Sequence, residues 1–81
     1  MAARDIFNTT DLGAVIRERR KQRGWTQARL AEWLSVSRPT VAKLESGGAV
    51  NVDVAIRALA ILGSVATIHP KDIRLVEENP E

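Results

Sequence analysis

Apolar side chains recur at helical spacing in four separate stretches of the chain, and residues that start or stop helices bound each stretch. The first stretch follows Thr10, the candidate N-cap, and ends at Gly24. Its last turn is basic, an arrangement that the helix dipole favours. We therefore predict a first helix over about residues 11–23.

Two short helices are predicted next, over about residues 27–34 and 38–45. Thr26 and Ser37 are their candidate N-caps, and Pro39 stands in the first turn of the second of them, where its missing N–H costs nothing. Because so few residues separate these two helices, they should cross steeply, as in a helix-turn-helix, rather than lie antiparallel.

The fourth stretch, from Asn51 to Gly63, is apolar nearly all round, which is more than a small domain can bury by itself. One stripe of this helix should face the core, and we predict that a second stripe contacts another subunit. The alternative is that the helix is simply the central helix of the core. The second stripe consists of Val54, Ala58, Ile61 and Val65.

A short strand is predicted after the fourth helix, over about residues 64–70, because the sequence alternates and contains β-branched residues before Pro70. A single strand cannot form a sheet. We therefore expect it to pair with its copy across a homodimer, so that Thr67 and Ile68 join the dimer interface.

These elements predict an all-α fold, a compact helical bundle with a helix-turn-helix and the one short C-terminal strand. The helical domain covers about residues 10–63. Residues 1–9 are expected to form a flexible N-terminal arm, and residues 71–81 an acidic tail.

The charge distribution adds a candidate partner. The formal net charge is only +2, but the segment from Arg17 to Lys43 holds eight basic residues and two acidic ones. Four acidic residues and one basic residue follow from Asp72 to the end. A basic body suits a polyanion such as nucleic acid, although a solvated charged surface is the simpler interpretation.

The amino-acid composition excludes several common kinds of catalytic site. With no cysteine and a single histidine, His69, the chain has no disulfide, thiol nucleophile, cysteine-based zinc site or histidine pair. A hydrolytic triad would need a pocket that four short helices hardly provide. We therefore expect no enzyme and no cofactor. No membrane span or secretory signal is visible in the sequence, so a cytoplasmic location is expected.

Three segments resemble the Cro/CI-type helix-turn-helix proteins of the Xre family. They are TQARLA at residues 26–31, VSRPTV at residues 36–41 and LESG at residues 44–47. The resemblance implies a lambda repressor-like fold that binds double-stranded DNA. One departure is Ser35, where the family often has glycine in a left-handed conformation. A serine in that conformation should cost about 1 kcal/mol.

The short strand after the fourth helix is similar to that of HipB-type antitoxins. The dimers of those antitoxins pair such strands, and they bind a kinase toxin. This narrower resemblance implies two protein partners, which are a second copy of the chain and a HipA-like kinase toxin.

The outer face of the third helix carries the side chains that we expect to contact DNA bases. Arg38 and Lys43 can reach guanine O6 and N7 in the major groove, and Thr40 can contact a phosphate or a thymine methyl group. Ser37 should both cap the helix and contact the DNA. The alternative is an ordinary solvated polar face.

Phosphate contacts are expected near the end of the first helix. Arg19, Lys21 and Arg23 could each bind a phosphate, although solvation is the simpler explanation for any one of them. The resemblance further implies that Gln27 touches a phosphate and braces the recognition helix.

Two further pairs of residues are expected to be structural. The resemblance implies a partly buried ion pair between Arg20 and Glu45 that orients the third helix. Trp25 and Trp33 are interpreted as packing residues rather than base-stacking residues, and Trp33 could also serve a partner surface.

The leading hypothesis is a sequence-specific DNA-binding repressor, and its specific version is an antitoxin that represses its own operon and binds its toxin. One alternative is a protein-interaction module that neutralises a partner with little DNA binding. Another is a stand-alone phage-type repressor.

Overall fold

The computed structural model describes residues 3–69 and 74–78. Four helices lie between a first strand near the N-terminus and two strands near the C-terminus. In chain order the elements are β1 (Ala3–Ile6), α1 (Thr9–Gln22), α2 (Gln27–Leu34), α3 (Arg38–Glu45), α4 (Val52–Ile61), β2 (Val65–His69) and β3 (Arg74–Glu78).

Three of the four helices begin at capping residues that the sequence offers at those positions. Thr26, Ser37 and Asn51 each accept a hydrogen bond from a backbone N–H in the first turn that follows. The start of α1 differs from the prediction, because Asn8 is the N-cap and Thr10 lies inside the helix. The side chain of Asn8 accepts from the Asp11 N–H at 2.8 Å, and asparagine is among the best capping residues.

The turn between α2 and α3 has the left-handed residue that the family resemblance implies. Ser35 has φ 57° and ψ 43°, and among the described residues it is the one non-glycine with positive φ. Its N–H donates to the carbonyl of Glu32, and the N–H of Val36 donates to the carbonyl of Ala31. These bonds close α2 and turn the chain at once into α3.

The core lies between the four helices. Leu30 and Leu34 of α2 and Val41 of α3 are fully buried in it. A side-chain contact ties α4 to the end of α2, since Arg57 Nη2 donates to the carbonyl of Leu34 at 3.0 Å. The buried side chains that form this hydrophobic core are Ile6, Val15, Ile16, Leu30, Ala31, Leu34, Val41, Leu44, Ala55, Ala58, Leu59 and Leu62.

A three-stranded antiparallel sheet corrects the all-α prediction. β3 is the central strand and pairs with β1 on one side and β2 on the other. The predicted strand is therefore not alone, because β2 pairs within its own chain. The prediction of a flexible N-terminal arm is wrong for Ala3–Ile6, which form β1. The prediction of a C-terminal tail is wrong for Arg74–Glu78, which form β3. The rest of the predicted tail lies outside the described residues.

The acidic character of β3 explains why the sequence alone did not reveal it. Glu77 looks like a tail residue, yet its side chain is fully buried and lies 3.0 Å from Arg19 Nη2 of α1. The sheet is joined to α1 again by the Arg4–Glu18 ion pair. Within the sheet, Arg74 of β3 lies 3.3 Å from Asp5 of β1. Buried acids are stable only when paired in this way, and a local pattern cannot show a partner so far along the chain.

The apolar face of α4 that remains exposed is not the predicted one. Ala58 is fully buried in the core, and Val54 and Ile61 are half-buried against it. In the other stripe of the pattern, which we expect to face the core, Val52 and Ile56 are instead 71% and 60% exposed. The remaining members of that stripe are buried as predicted, so the buried face of α4 contains residues of both stripes. These buried members are Ala55, Leu59 and Leu62.

The predicted dimer contacts on β2 are only partly described. Thr67 is exposed, whereas the side chains of Val65 and Ile68 lie outside the described part of the structure.

Candidate nucleic-acid interface

The outer face of α3 presents a row of polar side chains on a rigid base. Arg38 and Lys43 are exposed, and Thr40 is half-buried. The Ser37 and Thr40 hydroxyl oxygens lie 2.9 Å apart, and Ser37 Oγ accepts from the Thr40 N–H at 3.3 Å. On the opposite side of α3, Val41 is fully buried in the core. The helix is therefore fixed along one face while the other is free to enter a groove.

A buried ion pair anchors the C-terminal end of α3 to α1. Arg20 Nε lies 2.6 Å from Glu45 Oε2, and Arg20 Nη2 donates to Glu45 Oε1 at 3.1 Å. Arg20 Nη1 donates to the carbonyl of Trp25 at 2.7 Å. This is the ion pair that the family resemblance implies, in the bidentate geometry that gives arginine–carboxylate pairs their directional strength.

Gln27 joins the same network. Its Nε2 donates to Glu45 Oε1 at 3.1 Å, so the first residue of α2 braces the last residue of α3. The amide group is half-buried. This contact is the bracing role that the family resemblance implies.

Gly13 is a site residue that the sequence analysis missed. A Cβ built on it would lie 2.5 Å from the carbonyl oxygens of Leu44 and Glu45, so α1 touches the backbone at the end of α3. Real side chains never approach so closely, and only glycine allows this contact. The signal was a glycine inside an otherwise helical stretch, which often marks close packing.

The basic residues at the end of α1 divide into two groups. Lys21 and Arg23 are exposed, with the Arg23 guanidinium 5.5 Å from the centre of the Trp25 ring. Arg19 was expected to bind phosphate, but the structure turns it towards the sheet, where Nη2 lies within 3.2 Å of both carboxylate oxygens of Glu77. An arginine engaged with a buried carboxylate is a structural residue rather than a phosphate ligand.

The described part of the chain offers little for other chemistry. Residues 3–69 and 74–78 contain no group of three or more metal-ligating side chains. None of the helices described is long and apolar enough to cross a membrane.

α2 and α3 are two short helices joined by a tight turn with a left-handed residue, and α3 has an exposed polar face. This arrangement is a helix-turn-helix. In proteins of this class the second helix enters the major groove of DNA. Residues 11–65 match the family model described as "Helix-turn-helix domain", and the chain belongs to this family.

Two curated proteins are similar to part of the chain. One is a protein of Halorubrum lacusprofundi, named provisionally as an HTH-type transcriptional regulatory protein, which is 44% identical over 45 residues. A protein of Haloquadratum walsbyi with the same provisional description is 42% identical over 45 residues. Each match covers 56% of this chain and 14% of the relative, so the similarity concerns one segment of much longer proteins.

Proposed function

We propose that the chain is a sequence-specific DNA-binding transcriptional repressor that sets α3 in the major groove. The observation that carries the proposal is the braced recognition helix. Its outer face carries Arg38 and Lys43, and its end is fixed by the buried Arg20–Glu45 pair. Rigid placement of a basic face is what direct reading of base edges requires. The family and the names of its relatives agree with this role.

Each group on this face then has a role. Arg38, in the first turn of α3, reads a guanine through O6 and N7, and Lys43 contacts a base one turn and a half further along. Ser37 and Thr40 contact the neighbouring base or phosphate. Gln27 can donate to a phosphate with the N–H that Glu45 does not occupy.

Phosphate binding should come from the exposed cations at the end of α1. Lys21 and Arg23 remain candidates, whereas Arg19 is engaged by Glu77. Removal of one phosphate-binding cation should reduce the slope of log K against log salt by about 0.9.

The repressor is proposed to act as a homodimer, because two half-sites double the contacts on a palindromic operator. Val52 and Ile56 form an exposed apolar stripe on α4, and Asp53 and Arg57 lie beside it, 3.6 Å apart. In an antiparallel pair of α4 helices, Asp53 of each copy would face Arg57 of the other. β2 also lies at the edge of the sheet, where its outer side could pair with a second strand.

We further propose the narrower role of an antitoxin that represses its own operon and binds a HipA-like kinase toxin. The support is the resemblance of the segment after α4 to HipB-type antitoxins. A stand-alone repressor differs from an antitoxin in one respect, since only the antitoxin should co-purify with a co-encoded kinase.

The test is fluorescence anisotropy with a labelled duplex of the DNA upstream of the gene and a scrambled duplex, at two salt concentrations. We expect tight binding to the upstream duplex only. Arg38→Ala should weaken that binding by about 1–3 kcal/mol, with little change on scrambled DNA. Arg17→Ala removes an exposed α1 arginine outside the proposed base-reading face and serves as the control.

The other outcomes are also decisive. Equal and steeply salt-dependent binding to both duplexes would show phosphate contact without sequence reading. The absence of binding to either duplex would favour the interaction module over the repressor.

A further inference from the structure

Two tryptophan rings stack on the exposed side of α2. The rings of Trp25 and Trp33 are parallel within 2°, and their centres lie 6.0 Å apart. Trp25 packs against the core, whereas Trp33 leaves 54% of its surface exposed. A large ring held flat and open to solvent is the kind of group that anchors protein interfaces, since it loses little conformational freedom on binding.

Two arginines lie over the Trp25 ring of this stack. The guanidinium carbons of Arg23 and Arg29 lie 5.5 and 6.0 Å from the centre of the Trp25 ring. A cation–π contact orients a guanidinium and leaves N–H groups available to a carboxylate. We call the set of Trp25, Trp33, Arg23 and Arg29 the Trp–Arg surface.

An open depression adjoins this surface. Its volume is about 310 Å³, and it is lined by Arg29, Glu32 and Trp33. The Trp–Arg surface and the depression together contain two arginines and one acidic residue, Glu32, so the net charge of these residues is positive. A ligand that combines carboxylates with an apolar group fits both features.

Arg29 and Trp33 of the Trp–Arg surface lie on the side of α2 that faces away from α3, whereas Arg23 is shared with the proposed phosphate contacts. α2 packs on α3 and the core with the side that contains Ala31, which is buried. Arg29 is two positions before Ala31 and therefore about 200° around the helix from it. Trp33 is two positions after Ala31 and therefore also about 200° around the helix from it. DNA held by α3 would leave Arg29 and Trp33 open.

We infer that the Trp–Arg surface binds an acidic segment of a partner protein, with carboxylates on Arg23 and Arg29 and an apolar side chain on the Trp33 ring. The two arginines favour an acidic partner because their charges are complementary. The exposed Trp33 ring favours a peptide with an apolar side chain over the DNA backbone. The inference goes beyond the proposed DNA binding and does not rest on it. It also does not require the partner to be a toxin.

The experiment uses three fluorescein-labelled nonapeptides and the full chain without DNA. In the first peptide aspartate alternates with leucine, in the second aspartate alternates with serine, and in the third lysine alternates with leucine. Anisotropy should show the aspartate–leucine peptide binding about tenfold tighter than either of the others. Failure of DNA binding would leave this result interpretable, since no DNA is present.

Two variants locate the binding site. Trp33→Ala removes the exposed ring and should weaken binding of the aspartate–leucine peptide by about fivefold. Arg29→Glu reverses a charge on the surface and should weaken it by about tenfold or more. Arg17→Glu makes the same change in net charge on the exposed side of α1 and should leave binding within about twofold. Thermal unfolding of each variant checks that the fold is retained.

Three results would overturn the inference. One is equal binding of the aspartate–leucine and aspartate–serine peptides, which would remove the role of the ring. Another is equal weakening by Arg17→Glu and Arg29→Glu, which would indicate general charge attraction. The third is unchanged binding of the aspartate–leucine peptide to Trp33→Ala, which would show that the exposed ring is not an anchor.

Discussion

At the scale of single residues, Glu45 connects the fold to the proposed function. Its carboxylate receives Arg20 from α1 and Gln27 from α2, so three helices meet at one buried acid. A charge buried in this way is stable only while its partner is present, because desolvation of either group alone is costly. The orientation of the recognition helix therefore depends on groups that need not touch DNA.

Glu45→Gln should destabilise the fold by about 3 kcal/mol, because it leaves the buried Arg20 without a counter-charge. The measurement is chemical unfolding followed by circular dichroism. Glu18→Gln is the matched control, and since the Arg4–Glu18 pair is exposed, its loss should cost less than about 1 kcal/mol. Equal unfolding midpoints for the wild type and Glu45→Gln would contradict this view of the pair.

Ser35→Gly should stabilise the protein by about 0.5–1 kcal/mol, because Ser35 holds a left-handed backbone at φ 57° that glycine adopts without strain. Urea unfolding measures the change. At Ser46, where φ is −88°, the same substitution should destabilise the protein, since glycine adds freedom to the unfolded chain and the hydrogen bond from Ser46 Oγ to the carbonyl of Lys43 is lost. A decrease in stability with Ser35→Gly would show that the side chain of Ser35 matters more than its backbone.

At the scale of elements, helices and strands differ in how far local sequence defines them. α2 and α3 have the bounds that periodicity and capping residues predict, because a helix satisfies its backbone within one segment. β1 and β3 were missed, because a strand needs a partner from elsewhere. Glu77 made β3 look like a solvated tail, and only its pairing with Arg19 makes burial possible.

Glu77→Gln should lower the stability of the whole chain by about 2–3 kcal/mol, since Arg19 loses the partner that joins α1 to the sheet. Thermal unfolding by circular dichroism is the measurement. Glu78→Gln changes the next residue of β3, which is half-buried, and should shift stability by less than about 0.5 kcal/mol. Similar effects of the two substitutions would mean that the Arg19–Glu77 pair does not hold the sheet.

At the scale of the whole molecule, the sheet brings the first and last described strands together beside α1. β1 from the N-terminal end and β3 from the C-terminal end are neighbours, and ion pairs connect β1 and β3 to α1. This arrangement leaves β2 at one edge and exposes Val52 and Ile56 on α4. Self-association therefore remains a prediction, but it moves to a different stripe of α4 from the one that the sequence indicated.

Ile56→Glu should convert the proposed dimer to a monomer without lowering the melting temperature, because Ile56 is largely exposed in the single chain and a buried carboxylate would oppose pairing. Light scattering over a range of protein concentrations provides the measurement. Trp33→Ala removes an exposed apolar group from α2 and should leave the dimer intact. A wild-type chain that stays monomeric when concentrated would rule out the α4 contact.

Local sequence is enough to predict the helix-turn-helix, the caps of α2 and α3, the strained Ser35 and the polar face of α3. Each of these depends on neighbours within a few residues or on a motif with fixed spacing. The sheet, the partner of Arg19 and the exposed residues of α4 become visible only in the folded chain. Strand pairing and burial of charge depend on contacts between distant segments, and packing alone selects which residues of a helix that is apolar nearly all round stay exposed.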